Sequence, residues 1–310
     1  MGNEIKVFAP ASVTNVGPGF DIMGFALETP GDELILKISD KPGIRIIKIE
    51  GDNGKLPVAS EKNTAGASLI SMAEHLKFDK GLEIEIHKKM KSGSGLGSSA
   101  ASAVASVFAL NELLETPLSK NQLLKFALEG EKLTSGGSPH ADNVSACLFG
   151  GFIIVRSISP FDIINIPTPD DIHCVILNPD TEVKTSDARK VLPKNISLKD
   201  AVIQWGNIAS LVAGFMKNDY NLIKRSLKDI ICEPVRAELI PGYQGIKNAA
   251  LDAGAIGAGI SGSGPSVFAF CRSVEHGEII GSAMKVVTDS LNIESEIYIS
   301  KINHTGPRVI

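Results

Sequence analysis

The feature that most constrains the fold is a glycine-rich segment between a predicted strand and a predicted helix. Residues 91–101 read Lys-Ser-Gly-Ser-Gly-Leu-Gly-Ser-Ser-Ala-Ala. Apolar and polar residues alternate before it, at 82–87, and Ala-rich sequence after it predicts a helix from about 98 to 114. Glycine adopts positive φ and has no Cβ to hold a ligand away, and a helix start has unpaired N–H groups. The segment therefore predicts an anion site.

The Ser98-Ser99 pair favours phosphate as the anion, because its hydroxyls could bind phosphate or Mg²⁺. Two common nucleotide motifs do not fit. No G-K-[ST] closes the segment as in a Walker A loop, and Ser98 replaces the third glycine of G-x-G-x-x-G. Taken alone, the segment could also be a glycine-rich turn without a ligand.

Two further segments are rich in glycine. Residues 257–266 precede a predicted strand at 266–271, so they are either the entry loop of that strand or a partner that closes on the first loop across a cleft. They are not a nucleophile elbow, because no G-x-S-x-G occurs and an elbow would follow its strand. Residues 9–27 place Asn15 and Asp21 in a constrained loop after the first predicted strand.

Hydrophobic periodicity predicts strands and helices in a proportion that favours an α+β fold. The predicted strands lie near residues 5–9, 33–38, 44–49, 82–87, 152–156, 173–178, 266–271 and 295–300. The predicted helices cover about 63–76, 98–114, 119–131, 198–216, 220–227, 243–253 and 277–291. A length of 310 residues and two prolines in 166–171 predict two domains, at 1–165 and 166–310. We expect Lys88-Lys89 to be a solvated strand end.

Composition excludes several classes of protein. With 43% apolar residues and 31 Lys and Arg against 35 Asp and Glu, the chain is neither disordered nor a polybasic nucleic-acid binder. No apolar stretch approaches the ~18–20 residues of a membrane span. Its four cysteines lie far apart without a C-x-x-C pair, which argues against zinc knuckles and disulfide frameworks. We expect a cytoplasmic protein with no nucleic-acid or membrane partner.

The three glycine-rich segments together resemble the three motifs of the GHMP kinase superfamily. Within it, the chain is most similar to the homoserine kinase family, over nearly its whole length. The similarity is carried by the G-P-G-F-D run at 17–21, H-A-D-N-V at 140–144, the Thr185 to Pro193 segment and R-x-x-L-I-P-G at 236–242. The chain departs from the family at Lys91-Ser92, where a Pro-Leu or Pro-Ile pair usually opens the loop. It also departs between Glu131 and His140, a stretch that looks one residue longer.

The resemblance implies a two-domain GHMP kinase fold. Its N-terminal domain would resemble domain 2 of ribosomal protein S5, and its C-terminal domain would be ferredoxin-like. It implies ATP-dependent phosphorylation of the side-chain hydroxyl of L-homoserine to O-phospho-L-homoserine, in threonine biosynthesis, with Mg²⁺ as cofactor. Two rivals are another GHMP kinase acting on a mevalonate-type or sugar alcohol, and a non-catalytic nucleotide-binding relative. Whether the chain forms a homodimer stays open.

The resemblance also assigns site residues. The ATP phosphates would bind at Lys91, Ser92, Gly93, Ser94, Gly95, Leu96, Gly97, Ser98, Ser99, Ala100 and Ala101. Ser99 and Glu131 would hold Mg²⁺, with Glu129 as the alternative to Glu131. The substrate would bind at Asn15, Asp21, His140, Asn143, Arg189 and Arg236, where the two guanidinium groups suit its carboxylate. Asp21, Asn143 and Arg189 are the catalytic candidates, and the role of Asp21 as a base stays open.

Overall fold

Two β-sheets organise the chain in a computed structural model that describes residues 3–133 and 140–310. The first sheet contains β1 (Glu4–Thr14), β2 (Met23–Ser39), β3 (Ile44–Glu50), β4 (Gly81–His87), β5 (Phe152–Ile158), β6 (Phe161–Ile166) and β11 (Arg308–Val309). The second contains β7 (His173–Pro179), β8 (Gly257–Ile260), β9 (Val267–Cys271) and β10 (Ser295–Lys301).

Helices connect and cover these strands. They are α1 (Thr64–Leu76), α2 (Ser98–Glu112), α3 (Lys120–Glu131), α4 (Ala141–Phe149), α5 (Thr185–Lys190), α6 (Leu198–Lys217), α7 (Tyr220–Ser226), α8 (Glu233–Arg236), α9 (Tyr243–Asp252) and α10 (Val274–Ser290). The predicted α+β class is confirmed. None of these helices is long and apolar enough to cross a membrane.

Polar residues at the helix starts explain why several helices begin where they do. Ser119 and Gln122 form a capping box at the start of α3, which satisfies N–H groups that the first turn leaves unpaired. The side chain of Asn63 accepts a hydrogen bond from the Ala65 N–H group and caps α1. Helices were predicted from about residues 63 and 119, so the starts of α1 and α3 agree with prediction.

The first sheet has the order β11-β1-β2-β4-β3, and β5 pairs with both β2 and β6. β3 runs parallel to β4, and the other pairs are antiparallel. The second sheet is antiparallel in the order β10-β7-β9-β8. The chain passes from one sheet to the other between Ile166 and His173, and its last residues return to β1 through β11. A boundary at 165/166 remains our proposal.

A cluster of phenylalanine rings joins the two sheets in a shared core, and a second core cluster lies between the second sheet, α9 and α10. Phe25 and Phe152 come from the first sheet, Phe268 and Phe270 from the second, and Phe215 from α6. The ring centroids of Phe25 and Phe270 lie 5.3 Å apart, and those of Phe152 and Phe215 lie 4.6 Å apart. All five side chains are fully buried. The two halves of the chain are therefore held in a fixed relation.

Six elements were missed by the sequence analysis, among them the four-residue helix α8 and the two-residue strand β11. β6 lies where the prolines predicted a connection, and β8 lies in the second glycine-rich segment. α4 and α5 are nine and six residues long, too short for a clear helical periodicity. Short elements of this kind depend on tertiary packing, which a local pattern does not encode.

Lys88 is not a solvated strand end, contrary to the prediction. Only 7% of Lys88 is exposed, and its ammonium group donates to the buried Asp32 carboxylate. It also donates to the Ser98 carbonyl at 2.8 Å and to the Ser102 hydroxyl at 2.8 Å. These acceptors come from β2 and α2, so sequence next to Lys88 gives no sign of them.

We predict that Phe25→Ala lowers the free energy of unfolding by about 3–5 kcal/mol, because it leaves a cavity at the centre of the shared core. Urea denaturation followed by circular dichroism and by fluorescence of Trp205 on α6 measures the change. Phe161→Ala, which truncates a half-buried ring on β6, should cost less than half as much. Separate transitions by the two probes in the wild type would contradict a single core.

Candidate functional site

A cleft of about 420 Å³ lies between the glycine-rich loop, the loop after β1, the start of α4 and the segment around α5. Predicted site residues that line it are Asn15, Asp21, Ser92, Gly93, Ser94, Gly95, Gly97, Ser98, Ser99, Glu131, His140, Asn143, Arg189 and Arg236. Four predicted residues do not line it. Lys91 pairs with Asp180 at 3.2 Å outside it, and Leu96, Ala100 and Ala101 are buried in the core beneath the loop.

The glycines of the loop are required by its backbone angles and by its neighbours. Gly93, Gly95 and Gly97 have φ values of 73°, 78° and 68°, a region that L side chains rarely adopt. A Cβ on Gly97 would lie 2.1 Å from the Ser12 hydroxyl oxygen. A Cβ on Gly95 would lie 2.4 Å from the Ser261 carbonyl oxygen. A side chain at Gly95 would therefore push apart the two loops as well as disturb a ligand.

The second glycine-rich segment closes on the first loop, one of the two alternatives the sequence left open. The Ser261 hydroxyl donates to the Gly95 carbonyl at 2.7 Å, and the Ser266 N–H group donates to the Ser94 carbonyl at 3.2 Å. The Gly262 N–H group donates to the Thr14 carbonyl at 3.1 Å. Three segments far apart in sequence thus meet through backbone atoms and the Ser261 hydroxyl.

The Ser98 hydroxyl is engaged with the buried ion pair described above. It donates to an Asp32 carboxylate oxygen at 3.0 Å, so it is not free to face a ligand. Asp32 also accepts hydrogen bonds from the N–H groups of Lys89 and Met90. The hydroxyl of Ser99, in contrast, is directed toward other residues of the cleft.

Ser99, Glu131 and His140 form a connected group at the cleft. The Ser99 hydroxyl donates to Glu131 Oε1 at 3.0 Å, and His140 Nδ1 lies 3.0 Å from the same oxygen. Burial lowers the pKa of His140, but the Glu131 hydrogen bond and the nearby carboxylates outweigh it and raise that pKa overall. Glu129 is exposed and pairs with Lys132 at 2.7 Å. The extra residue predicted before His140 falls near 134–139, outside the described residues.

Asp21 and Arg189 form a two-pronged ion pair on the opposite side of the cleft. Arg189 Nη1 and Nη2 donate to the two Asp21 oxygens at 3.0 and 3.1 Å. The Asp21 side chain is 41% exposed and that of Arg189 31%, so a ligand can reach both. Asn15 and Asp21 have φ values of 70° and 58°, and the Asn15 side-chain oxygen accepts from the Asp21 N–H group at 3.0 Å. This hydrogen bond holds the loop in its strained form.

Arg236 lies beside this pair and is buried. It donates to the Ala188 carbonyl at 3.3 Å and to the Gly262 carbonyl at 3.1 Å. The Phe20 ring centroid lies 4.7 Å from its guanidinium carbon and 5.9 Å from that of Arg189. Burial lowers the pKa of Arg236, but a guanidinium group remains charged in proteins. Two cations therefore meet at one end of the cleft.

Asn143 links the glycine-rich loop to the end of β1. Its side-chain oxygen accepts from the Ser12 hydroxyl at 3.0 Å, and its NH₂ group donates to the Thr14 hydroxyl at 3.1 Å. The same oxygen would lie 2.9 Å from a Cβ on Gly97. The amide is thus held in one orientation directly against the glycine-rich loop.

Asp142 lines the cleft and was missed as a site residue. It is 2% exposed, and burial, reinforced by the charge of Asp21, raises its pKa to about 6. Its carboxylate accepts from the Asn143 N–H group at 2.9 Å. The sequence signal was present in H-A-D-N-V, where an acidic residue lies between the predicted site residues His140 and Asn143. Thr14 and Glu182 also line the cleft, without a motif that marks them.

Comparison with known proteins identifies the relatives of this chain. The family descriptions "GHMP kinases N terminal domain" and "GHMP kinases C terminal" match residues 63–151 and 211–286. A homoserine kinase from Chlorobium phaeobacteroides is 44% identical over 99% of both chains, and one from Chloroherpeton thalassium is 46% identical over the same shares.

Solved structures give the same result. A homoserine kinase from Cytophaga hutchinsonii has a TM-score of 0.97 and 54% identity, over 100% of this chain and 98% of that one. The mevalonate kinase of L. major, solved with R-mevalonate, has a TM-score of 0.75 at 18% identity over 97% and 98% of the two chains, which shows a shared fold. The resemblance drawn from the motifs is confirmed.

We predict that Asp142→Asn removes a pH dependence of stability. Because the pKa of Asp142 is raised from 3.8 to about 6 on folding, the folded protein binds this proton more tightly than the unfolded chain. Wild-type stability should therefore fall as pH rises from about 4 to 6, by roughly 3 kcal/mol at most relative to Asp142→Asn. Urea denaturation at several pH values measures this. Asp40→Asn, at an exposed position, should follow the wild type. Parallel curves for wild type and Asp142→Asn would contradict the prediction.

Proposed function

This chain belongs to the homoserine kinase family of the GHMP kinases, and from this premise we propose that it transfers the γ-phosphoryl group of ATP to the side-chain hydroxyl of L-homoserine. The product is O-phospho-L-homoserine, an intermediate of threonine biosynthesis. One observation carries the proposal: a single cleft holds a glycine-rich loop at a helix start and, facing it, a reachable pair of opposite charges with a second arginine beside it.

The phosphates of ATP would bind at residues 93–99. This loop leads into the N-terminus of α2, where backbone N–H groups and the helix dipole attract an anion. The Ser94 hydroxyl is buried, lines the cleft and makes no hydrogen bond within the described residues, so a phosphate oxygen would satisfy it. Binding through backbone groups also explains why a chain of net charge −4 can hold a polyanion.

Mg²⁺ would bind between Ser99, Glu131 and the phosphate oxygens. A hydroxyl and a carboxylate are hard oxygen donors of the kind that Mg²⁺ prefers, and they already lie within hydrogen-bond distance of one another. Within residues 3–133 and 140–310, no group of three or more His, Cys, Asp or Glu side chains could form a complete metal site. That suits an ion that keeps several waters and shares its ligands with a nucleotide.

The acceptor end of the cleft suits an amino acid zwitterion. In the ligand-free protein, Asp21 and Arg189 neutralise one another. A substrate carboxylate could replace Asp21 on Arg189 and Arg236, while the substrate ammonium group replaces Arg189 on Asp21. Each of these charged groups then keeps an oppositely charged partner, so substrate binding leaves no ion unpaired. A sugar or a mevalonate-type substrate has no ammonium group, and its binding would leave Asp21 without this compensation.

We assign the hydroxyl end of the substrate to Asn143. Its amide is held against the phosphate loop by Ser12 and Thr14, so it can orient an acceptor oxygen toward the γ-phosphate. Both Asp21 oxygens accept from Arg189, which suits Asp21 for binding an ammonium group more than for removing a proton. Positioning and electrostatic stabilisation would supply most of the rate enhancement. A cytoplasmic location agrees with four unpaired, buried thiols.

Release of ADP, measured by a coupled assay with several acceptors side by side, tests the proposed substrate. L-homoserine should give the highest kcat/KM, and L-serine, mevalonate and galactose should be much poorer. A preference for mevalonate or galactose would favour the rival GHMP kinase. ATP binding without turnover on any acceptor would favour the non-catalytic relative.

We predict that Glu131→Gln raises the Mg²⁺ concentration needed for half-maximal activity and lowers kcat, because it removes an anionic oxygen from a hard-cation site. Glu129→Gln is the matched control, since Glu129 lies on the same helix but is exposed and pairs with Lys132. Activity titrated with Mg²⁺ measures both. A metal phenotype in Glu129→Gln alone would contradict the assignment of Glu131.

We predict that Arg189→Leu lowers kcat/KM for L-homoserine by roughly 30- to 5000-fold. This factor corresponds to about 2–5 kcal/mol, the cost of leaving the substrate carboxylate without its charged partner. The acceptor 3-aminopropan-1-ol, which lacks the carboxylate, should be poor for the wild type and much less affected by the substitution. Arg189 is a cleaner test than Arg236, whose loss also leaves two backbone carbonyls unpaired. Equal losses on both acceptors would contradict the carboxylate clamp.

A further inference from the structure

Gln204 is a buried polar residue of α6 that connects two segments at the acceptor end of the cleft. Its NH₂ group donates to the Pro18 carbonyl at 3.1 Å and to Asp229 Oδ1 at 2.8 Å. Its side-chain oxygen accepts from the Ile230 N–H group at 3.1 Å. Gln204 is 5% exposed and lies outside the lining of the cleft. The amide therefore does not touch a ligand in the cleft, and both of its ends have partners.

The first of the two segments is the acceptor loop, residues 15–21, with Pro18 at its centre. It carries Asp21, to which we assigned the substrate ammonium group, and Phe20, whose ring centroid lies 4.7 Å from the Arg236 guanidinium carbon. Asn15 and Asp21 both have positive φ, a backbone form that persists only where the surroundings hold it. The acceptor loop therefore depends on its attachments.

The second segment is the α8 turn, residues 229–236, which begins at the buried Asp229 and ends at Arg236. The Asp229 carboxylate accepts from the N–H groups of Ile231, Cys232 and Glu233 at 2.9, 3.0 and 2.9 Å. These hydrogen bonds pair backbone N–H groups at the start of α8, where the N-cap residue supplies no side-chain hydrogen bond of its own. Asp229 thus holds the turn that brings Arg236 to the cleft.

The acceptor loop and the α8 turn are joined at two places. Next to the cleft, Asn15 and Arg236 both donate to the Gly262 carbonyl. Away from the cleft, the Gln204 amide supplies the second connection. A cavity of about 10 Å³ lies between the two segments, so packing does not fill the space that separates them. With the first connection alone, one segment could rotate against the other.

Given the function proposed above, in which Asp21 binds the substrate ammonium group and Arg236 helps to bind its carboxylate, we propose that Gln204 is a positioning residue. It sets the separation between the acceptor loop and the α8 turn. In an α-amino acid the ammonium and carboxylate groups are bonded to one carbon, so the distance between them is fixed. A site that keeps its two charged walls at a matching distance selects such a substrate over one with a single charge.

The partners of Gln204 require an amide at this position. A carboxylate would lack both donors and would face the Asp229 carboxylate. An apolar side chain would leave the Pro18 carbonyl and the Ile230 N–H group without these hydrogen bonds. Replacement of Gln204 should therefore loosen the connection while every group that we place against the substrate is kept.

Three acceptors that differ in their charges test this role. L-homoserine uses both segments, whereas 3-aminopropan-1-ol lacks the carboxylate and 4-hydroxybutanoate lacks the ammonium group. Gln204→Met should lower kcat/KM for L-homoserine roughly 10- to 100-fold, the effect of a misplacement of about 1 Å. It should lower kcat/KM for each single-charge acceptor by less than about threefold, because neither depends on the separation of the two segments. KM for ATP should not change.

Asn207→Leu is the matched control on the same helix. The Asn207 side chain donates to the Lys228 carbonyl at 2.9 Å, so it joins α6 to the chain just before the α8 turn but not to the acceptor loop. Asn207→Leu should keep the wild-type ratios of kcat/KM among the three acceptors. Gln204→Glu keeps the side-chain shape and the acceptor for Ile230, and it should lose the same selectivity, which provides a second test if Gln204→Met does not fold.

The outcomes separate the role of Gln204 from the proposed function. Equal losses on all three acceptors, or a lower melting temperature with unchanged kcat/KM ratios, would show that Gln204 only braces the fold and would overturn the positioning role. A wild type that does not prefer L-homoserine to the two single-charge acceptors would instead contradict the proposed function.

Discussion

The close approach of two glycine-rich loops is the constraint on which the rest of the structure depends. Gly95 accepts a hydrogen bond from Ser261, and the space where its Cβ would lie is taken by backbone oxygens of the second loop. The phenylalanine core fixes the two sheets behind this contact. Neither half of the chain could form the cleft alone, because each supplies one of its walls.

The contact between the two glycine-rich loops gives a cleft with two chemically different ends. The glycine-rich loop is anchored from behind by the buried Lys88 and Asp32 pair, and it leads into the N-terminus of α2, where an anion is stabilised. At the other end, Arg236 is held by backbone carbonyls and Arg189 by the Asp21 carboxylate, which the substrate would displace in the proposed binding mode. Asn143 lies between the ends and touches the phosphate loop. The order of these groups matches a phosphate donor, a hydroxyl and an amino acid head group in line.

Long periodic elements and motif residues were predictable from the sequence. Hydrophobic periodicity placed α1 and α3, and the glycine-rich segments placed the loops that meet at the cleft. What could not be predicted depends on contacts between distant residues. Lys88 looked solvated because its acceptors lie on β2 and α2, and the Ser98 hydroxyl looked free because Asp32 lies 66 residues away. The raised pKa of Asp142 likewise arises from burial and from Asp21, which no local pattern shows.

The central claim is that the carboxylate of the amino acid is bound at the arginines and its hydroxyl faces the phosphate loop. Phosphorus NMR of the product formed from ATP and L-homoserine tests this most directly. The account predicts a phosphomonoester signal that is split by the two protons of the adjacent methylene group. An acyl phosphate trapped by hydroxylamine would place the carboxylate at the phosphate loop and contradict the account.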